Sequence, residues 1–225
     1  MYPLPACGRL SRSSNDPGWE GLAREWRSEM SQITRNSLTE HNFFALVAGL
    51  EGRWELIDGE LVMMAPTTQR HANIVANVLA TLHGQLRGTG YRPTCSGPSV
   101  RTGIGTIRYP DLVVDCGHRH DHEMCATTPV VVCEVLSSSR DQFDTHLRVL
   151  EYRAVPDIAC ILLIDPDEPR AILHRRDDAG WCDHLSIGLD QVVDITEVGA
   201  TVPLRDVYDG LEFTQPDDTL RGHLC

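Results

Sequence analysis

Lysine is absent from all 225 residues, so each of the 20 basic side chains is an arginine. That removes the basic side chain that most readily sheds its proton when buried, and with it any lysine-based chemistry. Basic charge is scarce as well, because 32 acidic residues leave a net charge of −12. A surface that neutralises phosphates broadly carries a basic excess, so any nucleic-acid contact here must be local. Long apolar runs are missing too. The longest, 61–66 and 158–164, are strand-sized and fall far short of the ~18–20 residues of a membrane helix. No apolar stretch follows the first charges in the manner of a signal peptide. The expectation is a soluble, cytoplasmic protein with no membrane partner. CxxC pairs are absent, and the eight cysteines lie scattered. They read as reduced thiols, with Cys133 and Cys160 filling core positions. What is present, 41% hydrophobic residues in a chain of this length, suffices for one substantial core.

Residues 1–36, rich in Ser, Arg, Gly and Pro, read as a poorly ordered arm, 37–213 as the folded domain and 214–225 as a tail. Trp54-Glu55-Leu56-Ile57 and Glu60-Leu61-Val62-Met63-Met64 flank Asp58-Gly59, a strong hairpin signal. Pro66, Thr67 and Thr68 open a helix whose Ile74, Val75, Val78, Leu79, Leu82 and Leu86 share one face, closed by Gly88 and Gly90. Strand-like segments follow at 91–101, 108–116 and 130–136. A second helix carries Phe143, Leu147, Leu150 and Ala154 as its apolar stripe. Strands then recur at 158–164, 171–175 and 181–187. Several strands with two main helices, lacking regular βα alternation, predict an α+β or mixed α/β sheet.

Acids at the ends of apolar strands carry the chemical lead. Asp111 follows Tyr109-Pro110 and enters Leu-Val-Val; Glu134 closes Val130-Val131-Val132-Cys133. A buried carboxylate is costly unless it meets a cation or hydrogen-bond donors. Two on neighbouring strands form an oxygen-rich site suited to Mg²⁺ or Mn²⁺; the plainer alternative is a turn cap or an arginine pair. Asp144, Arg148 and Tyr152 recur every four residues and share a helix face. They form either a surface ion pair or a row that aims Arg148 at the carboxylates, where it would steady an anionic transition state. His71, in line with Val75 and Leu79, is a core-edge residue or lines the site. Cys116, His118, His120, His122 and Cys125 offer metal-ligand chemistry, but their spacing fits no standard zinc module. Gly117, Asp121 and Pro129 make a polar loop the better reading there.

The ordered series Glu55-Leu56-Ile57-Asp58-Gly59-Glu60, Pro66…His71, Pro110-Asp111, Glu134-Val135-Leu136-Ser137, Asp144…Arg148…Tyr152 and Val202-Pro203-Leu204…Val207-Tyr208-Asp209-Gly210 resembles the Uma-type family of restriction endonucleases. That family lies within the PD-(D/E)XK nuclease superfamily, and the resemblance covers roughly residues 41–212. It implies a restriction-endonuclease-like core, a central mixed β-sheet flanked by helices, with a Mg²⁺ (or Mn²⁺) site at the split between strands. Asp111 would stand for the Asp of the PD motif and Glu134 for the second metal-binding acid. Glu60 matches a further acid typical of the family and would anchor a second metal or a water. The family's lysine, displaced to the following helix, is Arg148 here. Arginine holds its proton to a pKa above about 12, so it offers charge but not a base.

The implied activity is hydrolysis of DNA phosphodiester bonds, with Asp111, Glu134 and Glu60 on the metal, Arg148 stabilising the transition state, and His71 and Tyr152 lining the site. The alternative, motivated by the missing lysine and the acidic balance, is a catalytically degenerate nuclease fold acting as a binding or regulatory module. One metal site cuts one strand at a time, so duplex cutting calls for a homodimer. Arg101, Arg108, Arg140 and Arg148 are the candidates to line its shared DNA cleft.

Overall fold

The computed structural model describes residues 37–118, 122–136 and 142–213; the expected arm and tail, His120, Ser137 and Arg140 lie outside the described residues. Asp58 and Gly59 both take positive φ, 50° and 81°, as the two-residue turn of a tight hairpin demands. They join β1 (Trp54–Ile57) to β2 (Glu60–Met63) in the register Ile57↔Glu60. With β4 (Val100–Gly103) and β5 (Thr106–Arg108) these build a four-stranded antiparallel sheet in the order β2-β1-β5-β4. One face lays Leu56 and Ile107 against Phe43 of α1 (Glu40–Val47). Leu56 pairs Ile107 across the ladder. The same register sets Glu55 opposite Arg108 on the other face.

The larger sheet contains β3 (Arg92–Cys95), β6 (Leu112–Asp115), β7 (Pro129–Val135), β8 (Cys160–Ile164), β9 (Arg170–Asp177) and β10 (Gly180–Ile187). Its order is β10-β9-β8-β7-β6-β3, with β7 and β8 parallel and every other pair antiparallel. β7 and β8 are near-continuous apolar runs because both of their faces are covered. α2 (Gln69–Leu86), capped by the Thr68 side chain, covers one face. Its Ile74, Val78, Leu82 and Leu86 pack with Val114, Val131, Cys133 and Leu162, joined by β11 (Val192–Ile195), β12 (Ala200–Pro203) and α4 (Leu204–Val207). α3 (Gln142–Ala154) makes the crossover between the parallel strands and covers the other face, with Val149 and Tyr152 against Val113, Val132 and Ile161. The architecture is α+β, a mixed sheet flanked by helices as in restriction-endonuclease-like cores. Among the described residues, no helix is long and apolar enough to cross a membrane.

Two expectations need correction. The segments 91–101 and 108–116 are not single strands. The first breaks at Ser96, where φ is 54°, and the second at Tyr109-Pro110, each delivering its halves to different sheets. The apolar stripe expected on the second helix is not its buried face. Leu147 and Leu150 are 38% and 48% exposed, while Arg148 is 5% and Tyr152 fully buried. Beneath α3 the apolar layer is interrupted by Glu134 and met by Glu55, and the helix turns Arg148 and Tyr152 toward those acids.

Candidate active site

β7 sends alternate side chains to opposite faces, so Val132 and Glu134 point toward α3 while Val131, Cys133 and Val135 point toward α2. Glu134 therefore stands in an otherwise apolar layer. Tyr152 answers it by donating its hydroxyl to Glu134 Oε1 at 2.8 Å. One helical turn earlier, Arg148 Nη1 lies 3.4 Å from the same oxygen. The stronger bond of Arg148 is elsewhere, to an acid 93 positions away in sequence. Nη1 and Nη2 donate to Glu55 Oε1 and Oε2 at 2.7 and 3.1 Å, a bidentate pair. Asp144 Oδ2, on the same helix face, is 3.7 Å from Arg148 Nη2.

Glu55 is gripped from three directions. Besides Arg148, it accepts from the Tyr109 N–H at 2.9 Å and from Arg108 Nη1 at 3.1 Å. Arg108 turns its remaining edge to Glu151 of α3, with Nε and Nη2 at 2.6 and 2.7 Å. Burial works to raise the Glu55 carboxyl, but Arg148, the Tyr109 N–H and Arg108 outweigh it and hold the pKa below its usual value. Burial works to lower the Arg148 guanidinium, and Glu134 and Glu55 more than reverse that, so its pKa rises. It is a permanent cation, never a base. Burial first and Glu134 second push the Tyr152 phenol well above its ordinary pKa, so it acts as a hydrogen-bond donor.

Asp111 stands just before β6, and the register Leu112↔Cys133 brings it beside Glu134 on the neighbouring strand. Its Oδ2 accepts the Val135 N–H at 2.9 Å. Its Oδ1 lies 3.0 Å from Nε2 of His71 in the first turn of α2. Glu55, Glu134 and Glu151 thus meet Arg108 and Arg148, while Asp111 stands beside Glu134 against the Val135 N–H and His71.

Of the sequence candidates, Arg148, Tyr152 and Glu134 come together, and Asp111 and His71 meet beside them. Glu60 does not join them. It is exposed on β2, the edge strand of the smaller sheet, and the buried acid of that hairpin is Glu55. The arginines expected to line a DNA cleft have other uses. Arg108 and Arg148 are buried counter-ions, and Arg101 pairs with Glu40 at 2.7 Å. Arg140 lies outside the described residues. In the proposed zinc loop Cys116 is exposed, whereas Cys125 is buried with its Sγ 3.1 Å from Ser99 Oγ. A cavity of about 580 Å³ borders His118 and Cys125 but touches none of the acids of the cluster above. Among the described residues, no group of three or more His, Cys, Asp or Glu side chains is placed to hold a metal ion.

Residues 41–205 match the family Uma2, whose description is "Putative restriction endonuclease". The uncharacterized protein sll1609 of Synechocystis sp. is 28% identical over 117 residues, covering 49% of this chain and 65% of that protein. The uncharacterized protein slr1290 of the same organism is 24% identical over 163 residues, covering 71% and 85%. The chain thus spans just under two thirds of the first relative and more of the second. Among solved structures, a putative nuclease belonging to DUF820 from Anabaena variabilis ATCC 29413 is similar with a TM-score of 0.58 and 16% identity. That likeness covers 70% of this chain and 90% of that one, and it shows a shared fold.

Proposed function

The chain belongs to the Uma2 family of putative restriction endonucleases, and from that membership we propose that it is a metal-dependent endonuclease hydrolysing DNA phosphodiester bonds. The observation that carries the reading is the pair of acids that the β6–β7 register sets side by side, Asp111 just before β6 and Glu134 on β7. Both are buried, and two carboxylates on neighbouring strands are the kind of oxygen lining that a hard divalent cation takes.

The donors suit Mg²⁺ or Mn²⁺. These hard cations prefer oxygen and keep several waters of their own, so two carboxylates and the Val135 carbonyl are an adequate protein contribution. His71 Nε2, 3.0 Å from Asp111 Oδ1, adds a ligating nitrogen at the edge of the same place. When bound, such a cation supplies Lewis acidity toward the scissile phosphate. The chain's own residues do the rest. Tyr152 fixes the Glu134 carboxylate by its hydroxyl, and the Val135 N–H fixes Asp111. Arg148 provides a fixed positive charge near the developing anion. His71 borders the site and orients polar groups within it. Water is activated without a lysine, since the residue in the lysine's place keeps its proton.

DNA is the proposed partner. Two copies would be needed to cut both strands of a duplex, and light scattering of the protein giving twice the 25.0 kDa chain mass, or that mass plus one duplex when DNA is added, is the expected result. One observation favours a second reading, a degenerate module that binds without cutting. The cation in the lysine's place is already engaged by Glu55. Incubation of supercoiled plasmid with purified protein and Mg²⁺ or Mn²⁺ separates the two. Nicking abolished by EDTA and by Asp111→Asn supports the nuclease. Metal binding without nicking supports the module, and nicking unchanged by Asp111→Asn defeats the assigned site.

A further inference from the structure

We infer that Glu55 is the counter-ion that limits how closely Arg148 engages the Glu134 carboxylate, and thereby sets how strongly Asp111 and Glu134 take a divalent cation; this rests on the metal-dependent reading above. The geometry is a shared nitrogen. Arg148 Nη1 stands 2.7 Å from Glu55 Oε1 and 3.4 Å from Glu134 Oε1, so the two acids compete for one edge of one guanidinium. Glu55 wins by two devices. It engages Nη2 as well, at 3.1 Å, and it is itself immobilised by the Tyr109 N–H and Arg108. Those anchors belong to the smaller sheet, so the clamp on Arg148 comes from outside both the helix that carries it and the strands that carry the acids.

A buried guanidinium must have a carboxylate. Asp144 is farther away, at 3.7 Å, and its side chain is 38% exposed. If Glu55 loses its charge, Glu134 is the buried acid within reach, and Arg148 closes the gap to it. A carboxylate drawn more closely onto an arginine is a poorer ligand for a hard cation. Glu55 is therefore a positioning residue: it acts on the metal through Arg148, not by contact.

The test is calorimetric titration of Mn²⁺ into the full chain, free of DNA. Glu55→Gln is expected to weaken Mn²⁺ binding about tenfold or more, as a guanidinium moves onto a ligand carboxylate at short range. Arg148→Met is expected to bind Mn²⁺ as tightly as the wild type or more tightly. The double variant removes the intruding cation along with its counter-ion and is expected to return to within about threefold of the wild type. Glu168→Gln, an equal loss of charge at an exposed pair with Arg170, is expected to change nothing.

Restoration in the double variant is read beside urea denaturation of all three variants, because removing the stranded guanidinium also repairs a fold that Glu55→Gln weakens; the readout discriminates when Glu55→Gln is folded at the titration temperature. The inference is overturned if Glu55→Gln binds like the wild type, or if the double variant stays as weak as the single one. Should Glu55→Gln fail to fold, weaker binding by Arg148→Met overturns it and equal or tighter binding upholds it. Wild-type protein that takes up no Mn²⁺ defeats the metal reading itself, a result distinct from those that defeat only the role of Glu55.

Discussion

α2 and α3 cover opposite faces of one sheet, yet they bury opposite kinds of surface. α2 presents Ile74, Val78, Leu82 and Leu86, all at most 1% exposed, to a wholly apolar layer of β6, β7 and β8. α3 presents Arg148, Val149 and Tyr152, and leaves Leu147 and Leu150 toward solvent. The α2 side is held by transfer of apolar area out of water, which needs no particular partner. The α3 side adds to its apolar contacts a set of directional pairs, Tyr152 with Glu134, Arg148 with Glu55 and Glu151 with Arg108, each of which leaves a buried charge or polar group stranded if one member goes. One helix stabilises the fold; the other spends the same position on a site.

The contrast can be broken from either side. Leu82→Ala on α2 should show the largest effect, a loss of about 2–5 kcal/mol of stability in urea denaturation, because a close-packed apolar layer cannot collapse around the cavity. A loss below this range would mean that the α2 face is less tightly packed than described.

The charged side responds to acid instead. Glu55 has a folded pKa held below its ordinary 4.5, despite burial, by Arg148, the Tyr109 N–H and Arg108. Its carboxylate thus binds a proton more weakly folded than unfolded. The stability it contributes is present above about pH 4.5 and drains away as pH falls through the folded pKa. Glu55→Gln should accordingly flatten the decline of stability below that pH; an unchanged acid limb would contradict the pairing. The smallest effect belongs to Leu150→Ala. At an exposed position it should alter stability by no more than about 0.5 kcal/mol, in contrast to the same class of change on α2. A large loss there would restore the apolar stripe that the helical spacing suggests.

Legibility in the sequence follows the same divide. The β1–β2 hairpin, α2 with its cap and the apolar strands β7 and β8 are local patterns, and local patterns are readable. The orientation of α3 is not local. Its spacing allows either Leu147 and Leu150 or Arg148 and Tyr152 to face inward, and the choice is made by Glu55, which arrives from a different sheet. The acids Asp111 and Glu134 are visible because a carboxylate closing or opening an apolar strand is conspicuous. Glu55 is the same signal, an acid inside Trp54-Glu55-Leu56-Ile57, and it yields to Glu60 only because the Asp-Gly-Glu turn draws the eye. Arg108 and Glu151 carry no comparable pattern, since their pairing depends on the β1–β5 register and the packing of α3 over it.

The central claim is that Asp111 and Glu134 together hold one divalent cation. Electron paramagnetic resonance of free Mn²⁺, titrated against wild-type protein and the Asp111→Asn variant, measures it directly. The account predicts one saturable site per chain in the wild type and its loss in the variant. Absence of the site in the wild type, or its survival undiminished in Asp111→Asn, would contradict it.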